Sequence, residues 1–520
     1  MAEVRAALPR SAAGPYNPWL IAAIISIASF MEILDTTIAN VALRHIAGGL
    51  AAGLDESTWI LTSYLISNAV ILPVSGWLSN MIGRKRFYMG CVAIFTVSSL
   101  MCALSTSLAE MIFFRVLQGA GGGGLAPTEQ SMLADSFPPE KRAQAFALYA
   151  LTIVVAPTIG PVIGGYLTDN LSWHWIFLIN VPFGLLSLLL VWIFVCEPEA
   201  LKEDRRKLME GGLVVDWLGF LLVAIGLGAL QVVLDRGEID DFFAAPNITF
   251  LAILFVVCIG ALIPWEWRHP QPAVDVRLFA NRSYAATNLA MLLFGFILIS
   301  TTQLLPQLTQ QLMGYDATTA GLTLALGGFA AMFVVPIAGL SGRLIQPKYL
   351  IIFGFLGESI ALFNLTTIDL QMSFWSVAWA RVLQAVFLPF LFVSITGASY
   401  IGVPPDKTNE ASATVNLMRN LGGSMGVSAA TTMLAWQTQF HHARLGESVS
   451  FLSRHFQDFE HQTKLHGTTA LRSIASALQG QATVESYLDI FWLWGMGAAL
   501  VWPIALLIGR MPKGATARGV

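Results

Sequence analysis

Arg115-Val116-Leu117-Gln118 occurs a second time in this chain, as Arg381-Val382-Leu383-Gln384, 266 residues further on. Pro138-Pro139-Glu140-Lys141 returns at the same spacing as Pro404-Pro405-Asp406-Lys407. A weaker match, Pro73-Val74-Ser75-Gly76 against Pro336-Ile337-Ala338-Gly339, lies at 263. Two tetrapeptides sharing one offset are hard to attribute to chance, so the chain reads as a duplication. Both arginine motifs sit inside long apolar runs. The repeated unit is therefore a set of membrane helices, in two parallel copies related by an axis along the membrane normal.

Composition agrees. The 520 residues are 55% hydrophobic and only 12% charged, with mean hydropathy +0.66. A water-facing domain carries about 25% charged residues, so most of this surface must meet lipid. A net charge of −3 leaves no footprint for nucleic acid. Cys91, Cys102, Cys196 and Cys258 lie in or beside apolar runs without metal spacing and read as packing residues. The first apolar run, Pro18 to Leu43, is too long for a signal-peptide core and is expected to remain as a span.

A membrane helix needs about 20 apolar residues. Fourteen runs qualify, which predicts an all-α polytopic membrane protein. Six fall in an N-terminal half, residues 1–196, and six in a C-terminal half, 284–520. Two more, near 216–235 and 247–266, are inserted with their linkers at 197–283 and, lying outside the repeat, are expected to be peripheral. An even number of spans puts both termini on one side. With that side cytoplasmic, the inner segments hold twenty of the twenty-nine Lys and Arg, the outer segments six, and the spans three. The bias predicts both termini inside. It also places residues 438–486, a long polar insert, outside.

The motifs speak about energy. No lysine follows a glycine directly, so a phosphate-binding GxxxxGK[ST] loop is absent, as is HExxH. Gly422-Gly423-Ser424-Met425-Gly426 fits the serine-hydrolase pattern but lies inside an apolar span, where small residues packing two helices explain it better. No enzyme and no cofactor is expected. An ion gradient remains as the power source, and that needs a buried titratable group.

The first span supplies one in Leu34-Asp35-Thr36-Thr37-Ile38-Ala39-Asn40-Val41-Ala42. Asp35 is expected about 12 Å below the outer end of that helix, where an uncompensated charge costs several kcal/mol. Glu32 lies one turn away. Arg115, entering from the outer side in the fourth span, is the expected counter-charge at similar depth. An arginine favours an ionised acid and desolvation a neutral one, so a shift in that balance moves a proton. The alternatives are a static ion pair, or an aspartate that only bonds a neighbouring helix. Arg381 has Glu358 as its available acid.

Ala156-Pro157-Thr158-Ile159-Gly160-Pro161-Val162-Ile163-Gly164-Gly165 puts small residues four apart, which lets two helices approach closely, and two prolines that bend the span. Gly119 to Gly124 reads either as packing or as a locally irregular helix. Between spans 2 and 3, the basic cluster Arg84-Lys85-Arg86 fixes topology, while Gly76, Gly83 and the tight turn point to a gate-stabilising loop as well.

Taken together, these residues resemble the major facilitator superfamily, and within it the fourteen-span drug:proton antiporters of the EmrB/QacA type. The resemblance covers the whole chain. It rests most on Leu34–Ala42, on Arg115-x-x-Gln118-Gly119 and on the span-5 signature Gly160-Pro161-x-x-Gly164-Gly165, with Trp173 to Pro182 also typical. It implies two six-helix halves plus two inserted helices. It further implies proton-coupled export of hydrophobic and amphipathic compounds by alternating access in the bacterial inner membrane. Proton coupling falls to Asp35, Glu32 and Arg115. The cavity and its conformational motifs fall to Asn40, Gln118, Gly119, Pro157, Gly160, Pro161, Gly164, Gly165, Glu358 and Arg381, and the gating loop to Gly76, Gly83, Arg84, Lys85 and Arg86. Two positions depart from the pattern. Asn80 stands where an acid is usual, which weakens the gating role, and Arg44 where a proline is frequent.

The 438–486 insert holds five of the eight histidines. His461 and His466 have a spacing seen in zinc sites, but no cysteine pair accompanies them, and no metal is expected. Leu445, Phe451, Leu452, Phe456, Leu471, Ile474 and Leu478 predict short amphipathic helices that offer an apolar stripe to a partner. His441 to Val449 is similar to the same loop of Gram-negative members, which implies a periplasmic adaptor of the EmrA type and a TolC-like outer-membrane channel. Two rival readings stand beside this one: a dedicated exporter of one metabolite or lipid-like molecule, and a membrane sensor that transports nothing.

Overall fold

The structure, a computed structural model, describes residues 16–197, 202–203, 206, 216–240, 242–270, 272–404, 407–447 and 468–509. The chain is helical throughout, with no strand among the described residues. The first half comprises α1 (Pro18–Gly49), the short α2 (Leu54–Ser57), α3 (Trp59–Ile82), α4 (Arg84–Leu104), α5 (Leu108–Gly122), α6 (Leu125–Ser136), α7 (Pro139–Asn170), the short α8 (Trp175–Leu178) and α9 (Asn180–Phe194). Then come α10 (Trp217–Arg236) and α11 (Pro246–Arg268). The second half comprises α12 (Arg282–Gln311), α13 (Ala317–Leu344), α14 (Pro347–Leu365), α15 (Phe374–Ala398), α16 (Thr408–Gly446) and α17 (Thr468–Val501).

Among the described residues, twelve helices are long and apolar enough to cross a membrane. The other two expected spans are helical too, and each falls short for a visible reason. The expected span 109–133 is α5 followed by α6, parted at Gly123 and Gly124. The glycine run is thus an interruption as well as a packing surface. A Cβ on Gly121 would come 2.8 Å from the Cys91 carbonyl, and one on Gly123 2.7 Å from the Asn68 carbonyl. The expected span 411–437 lies within α16, whose many serines, threonines and asparagines lower its hydropathy.

The repeat is visible in the caps. Ser107 accepts from the Glu110 amide to start α5, and Ser373, 266 residues on, accepts from the Ser376 amide to start α15. Such a cap contributes about 1 kcal/mol and fixes where the helix begins. The two halves meet along two seams, α3 on α16 and α7 on α13. Within the C-terminal half α12 lies along α16. There the Gly422–Gly426 segment does what small residues do in lipid: a Cβ on Gly426 would come 2.9 Å from the Phe296 Cα.

Three expectations need correction. α1 runs on to Gly49, past the expected end at residue 43, so Asp35 lies nearer the middle of the helix than the outer end. The 438–486 insert is not a set of separate short helices where it is described: α16 continues through it to Gly446 and α17 begins at Thr468. His441 ties the two, facing Glu485 at 3.1 Å and Asp489 at 2.8 Å. His455, His461, His466, Phe451, Leu452 and Phe456 lie outside the described residues, as do Pro405 and Asp406 of the repeat. Finally, the inserted pair is unequal. α10 packs on α3 and also touches α16, with Gln231 accepting from Ser424 at 3.1 Å and Asp235 accepting from Thr62.

Packing along α16 gives the first test. Gly426→Val drives a branched side chain into the α12 backbone and is expected to destabilise by about 1–3 kcal/mol, read as a lowered melting temperature in detergent. Gly165, where an added Cβ would meet nothing within 4 Å, is the control. Gly165→Ala is expected to leave the melting temperature unchanged or raise it.

Candidate functional site: a buried ion pair and its copy

Asp35 on α1 and Arg115 on α5 meet in the N-terminal half, Arg115 Nη1 standing 2.7 Å from Asp35 Oδ2, with both side chains 1% exposed. The other carboxylate oxygen accepts from Gln118 Nε2 at 3.0 Å and from Asn180 Nδ2 at 2.6 Å. Ser99 on α4 closes the ring: its Oγ accepts from Gln118 at 3.0 Å and Asn180 at 2.9 Å, and donates to the Phe177 carbonyl at 3.2 Å. Arg115 also donates to Gln118 Oε1 at 2.7 Å and to the Ile60 carbonyl at 3.1 Å. Four helices of one half therefore converge on one carboxylate. Both of its oxygens accept from N–H donors, two on Oδ1 and one on Oδ2, which leaves about one of the carboxylate's four acceptor positions open.

Glu32 does not join this ring. Its Oε1 accepts from the Tyr64 hydroxyl at 3.1 Å and from Asn68 at 3.2 Å. Tyr64 links the two acids, since its ring lies 4.3 Å beneath the Arg115 guanidinium. Asn68 in turn accepts from Asn420 of α16 at 3.3 Å. A continuous polar path thus runs from the ion pair to the seam between the halves.

The remaining expected residues fall into place unevenly. Gly119 sits against α3, where a Cβ would come 3.0 Å from the Ser67 Cβ. Gly160 and Gly164 lie against α1, and a Cβ on Gly164 would come 3.0 Å from the Ile38 side chain. Pro157 and Pro161 are inside an unbroken α7, and Pro161 faces Gly321 of α13. Asn40 is exposed and donates back to the Thr36 carbonyl at 3.0 Å, so it is no part of the ring. Gly165 faces open space.

The loop residues close one end of the seam. Gly76 lets α3 approach α16 so nearly that a Cβ would come 2.9 Å from the Glu410 Cα. Gly83 takes φ +101, a conformation that glycine adopts freely and that makes the turn into α4. Arg84 pairs with Asp135 of α6, Lys85 donates to the Trp192 carbonyl at 2.9 Å, and Arg86 is exposed. Asn80, short of a charge, still bridges the halves, accepting from Asn409 at 2.5 Å. Ser131 with Ser412 and Gln130 with Asn416, each at 2.9 Å, continue the same closure.

In the C-terminal half Arg381 donates through Nη1 to Gln384 Oε1, and Glu358 meets Gln384, not Arg381, at 2.6 Å. Several functional groups were missed in the sequence. Glu129 on α6 is fully buried and accepts from Ser26 at 2.6 Å and from Ser29. An acid inside an expected span was signal enough to find it. Ser99 and Tyr64 carried no such signal, because hydroxyls are common in spans, and Asn180 lay in the quoted Trp173–Pro182 stretch without a role assigned to it. No group of metal-ligating side chains occurs among the described residues.

Two similar helical halves, a polar ring buried inside one and a seam between them define a multi-pass membrane protein of the transporter kind. A profile of the Major Facilitator Superfamily matches residues 25–427, and the chain belongs to that family. It is 36% identical to the multidrug export protein EmrB of Escherichia coli over 95% of this chain and 96% of that one. It is 35% identical to the fatty acid resistance protein FarB of Neisseria gonorrhoeae, covering 88% and 87%. Its fold is shared with the human organic anion transporter MFSD10 at a TM-score of 0.61 and 14% identity, over 94% of this chain and 99% of that one.

Removing one member of the buried pair leaves the other uncompensated. Arg115→Leu is expected to destabilise by about 3–5 kcal/mol, and adding Asp35→Asn to recover much of that loss. Thermal melting of the two single variants and the double closes the cycle. Independent, additive losses contradict the pairing.

Proposed function

We propose that this chain is a proton-coupled efflux antiporter that exports hydrophobic and amphipathic compounds by alternating access, as the inner-membrane component of a tripartite pump. The carrying observation is the Asp35–Arg115 ring and its polar path to the seam. A proton reaching Asp35 neutralises the acid and releases Arg115, which stands over Tyr64. Tyr64 holds Glu32, and Asn68 holds both Glu32 and Asn420. The charge state of one acid thereby bears on contacts between the halves. With both termini inside, the closed end of the seam at Gly76 and Asn409 is cytoplasmic. Alternating access then assigns proton uptake and cargo release to the opposite, periplasmic end while this seam is closed.

Sequence kinship to an export protein named for multiple drugs supports the breadth of substrates. Kinship to a fatty acid resistance protein supports a narrower reading, a dedicated exporter of lipid-like acids. A substrate survey separates them, since efflux restricted to one acid class favours the second. The seam helix α16 and the α17 packed on it both run beyond the expected membrane edge, which supports an adaptor of the EmrA type docking there, with a TolC-like channel beyond.

Asp35→Asn keeps the side-chain volume but cannot titrate. In proteoliposomes under an imposed pH gradient it is expected to reduce substrate flux to background while inserting normally. Normal flux in this variant removes Asp35 from coupling. Absence of flux in the unmodified protein, across a wide substrate panel, favours a sensor. Shortening the 438–486 segment is expected to abolish resistance in cells yet preserve flux in proteoliposomes. Full resistance with the adaptor present contradicts the docking role.

A further inference from the structure

We propose that Glu358 is a second proton-binding carboxyl, built into the C-terminal half from the same parts as the Asp35 site but carried on a different helix. The proposal rests on the reading of the protein as proton-coupled.

The 266-residue offset that pairs Arg115 with Arg381 and Gln118 with Gln384 also pairs Asp35 with Thr301. The hydrogen bonds follow the same correspondence. Gln118 Nε2 donates to Asp35 on the first helix of its half and to Ser99 on the third, both at 3.0 Å. Gln384 Nε2 donates to Thr301 on the first helix of its half at 3.0 Å and to Glu358 on the third at 2.6 Å. In each half the preceding arginine donates to the glutamine carbonyl three residues later. Each half therefore has one arginine, one bridging glutamine, one carboxyl and one hydroxyl, and between the halves the carboxyl and the hydroxyl have exchanged helices. The offset alone assigns no acid to the second site, because it lands on a threonine.

The two sites differ in how the carboxyl is held. Asp35 has donors on both oxygens and is paired to Arg115. Glu358 is fully buried, yet its Oε2 has no hydrogen-bond partner. Arg381 is directed elsewhere, through Nη1 to Gln384 and through Nη2 to Thr302 at 3.1 Å. The charged surroundings are sparse. α15 contributes Arg381 alone, and α14 otherwise only Lys348 in its first turn. α12 has Arg282 at its start. On α17, Arg472 is exposed, and the acids Glu485 and Asp489 face His441. Beside Glu358, Ser359 is occupied with the Gly495 carbonyl at 2.8 Å. A lone carboxyl in lipid-buried protein is costly as an anion, and a proton on its open oxygen relieves that cost. The Arg381 charge acts on Glu358 although its N–H donors are spent on Gln384 and Thr302. The same exchange of proton for arginine is available in both halves, and here they stand on opposite sides of it.

Infrared difference spectroscopy of the full chain in lipid nanodiscs, titrated in pH, reads protonated carboxyls by their C=O stretch. Glu358→Gln is expected to remove one pH-dependent component while leaving the one assigned by Asp35→Asn, and the double variant to remove both. Glu358→Asp moves the carboxyl by one methylene and is expected to retain that component at a shifted frequency. This variant also serves if the glutamine form fails to fold. Unchanged difference spectra in Glu358→Gln, or no frequency shift in Glu358→Asp, overturn the proposal. So does a component that is lost in Glu358→Gln but never responded to pH, since that marks a permanently neutral structural acid. The Asp35→Asn spectrum is read independently: if it alone is unchanged, the coupling role of Asp35 fails and Glu358 stands.

Discussion

A carboxylate and a guanidinium buried together in the membrane interior set the terms for the N-terminal half. Desolvating both charges costs more than their mutual attraction returns unless the remaining lone pairs and protons are satisfied. That requirement recruits Gln118, Asn180 and Ser99, and with them the helices α5, α9 and α4, around Asp35 of α1. The four helices cannot shift independently without leaving a buried donor or acceptor unpaired. The ring is thus both the site and the polar tie among these four helices.

Between the halves the constraint is of another kind. Lipid gives no hydrophobic drive for one helix to prefer another, so close approach and polar contacts decide. Gly76 brings the α3 backbone against α16, and Gly339 and Gly342 bring α13 against α7, at Ala147 and Ala143. Side-chain amides and hydroxyls then tie the contact, from Asn80–Asn409 to Asn68–Asn420. These are neutral bonds, individually modest, and a rocking motion can exchange them. The ion pair ties helices within its half, while these amide and hydroxyl contacts across the seam are of a kind that can be exchanged.

The inserted helices stand between these two regimes. α10 lies outside the duplicated unit, yet it contributes Val223 and Leu227 to a small apolar cluster with Leu72 and Val74 of α3 and with Leu417 and Leu421 of α16. It therefore lines the outside of one seam rather than standing apart from the bundle. α11 packs on α10 and presents most of its surface outward, as its exposed Phe250, Ile253, Val256 and Val257 show. Peripheral describes α11 well and α10 only in part.

Much of this was legible in the linear order of residues. A 266-residue offset, runs of apolar residues and the distribution of Lys and Arg depend only on local chemistry and on the thickness of a bilayer, so the duplicated helical halves could be read directly. Asp35 and Arg115 were legible because a charge inside a span is conspicuous, and Glu129 was equally so. What tertiary structure decided is which groups meet. Ser99, Asn180 and Tyr64 are ordinary residues that became partners only when α4, α9 and α3 were brought to α1. Glu358 is the clearest case. Its acid is plain in the sequence, but its equivalence to Asp35 is not, because the repeat pairs Asp35 with Thr301, and only the convergence of α12, α14 and α15 on Gln384 puts the carboxyl in the matching place. Sequence periodicity reports which face and depth a residue takes along its own helix. The pairing of polar groups across helices is set by how those helices pack, and no single segment encodes that.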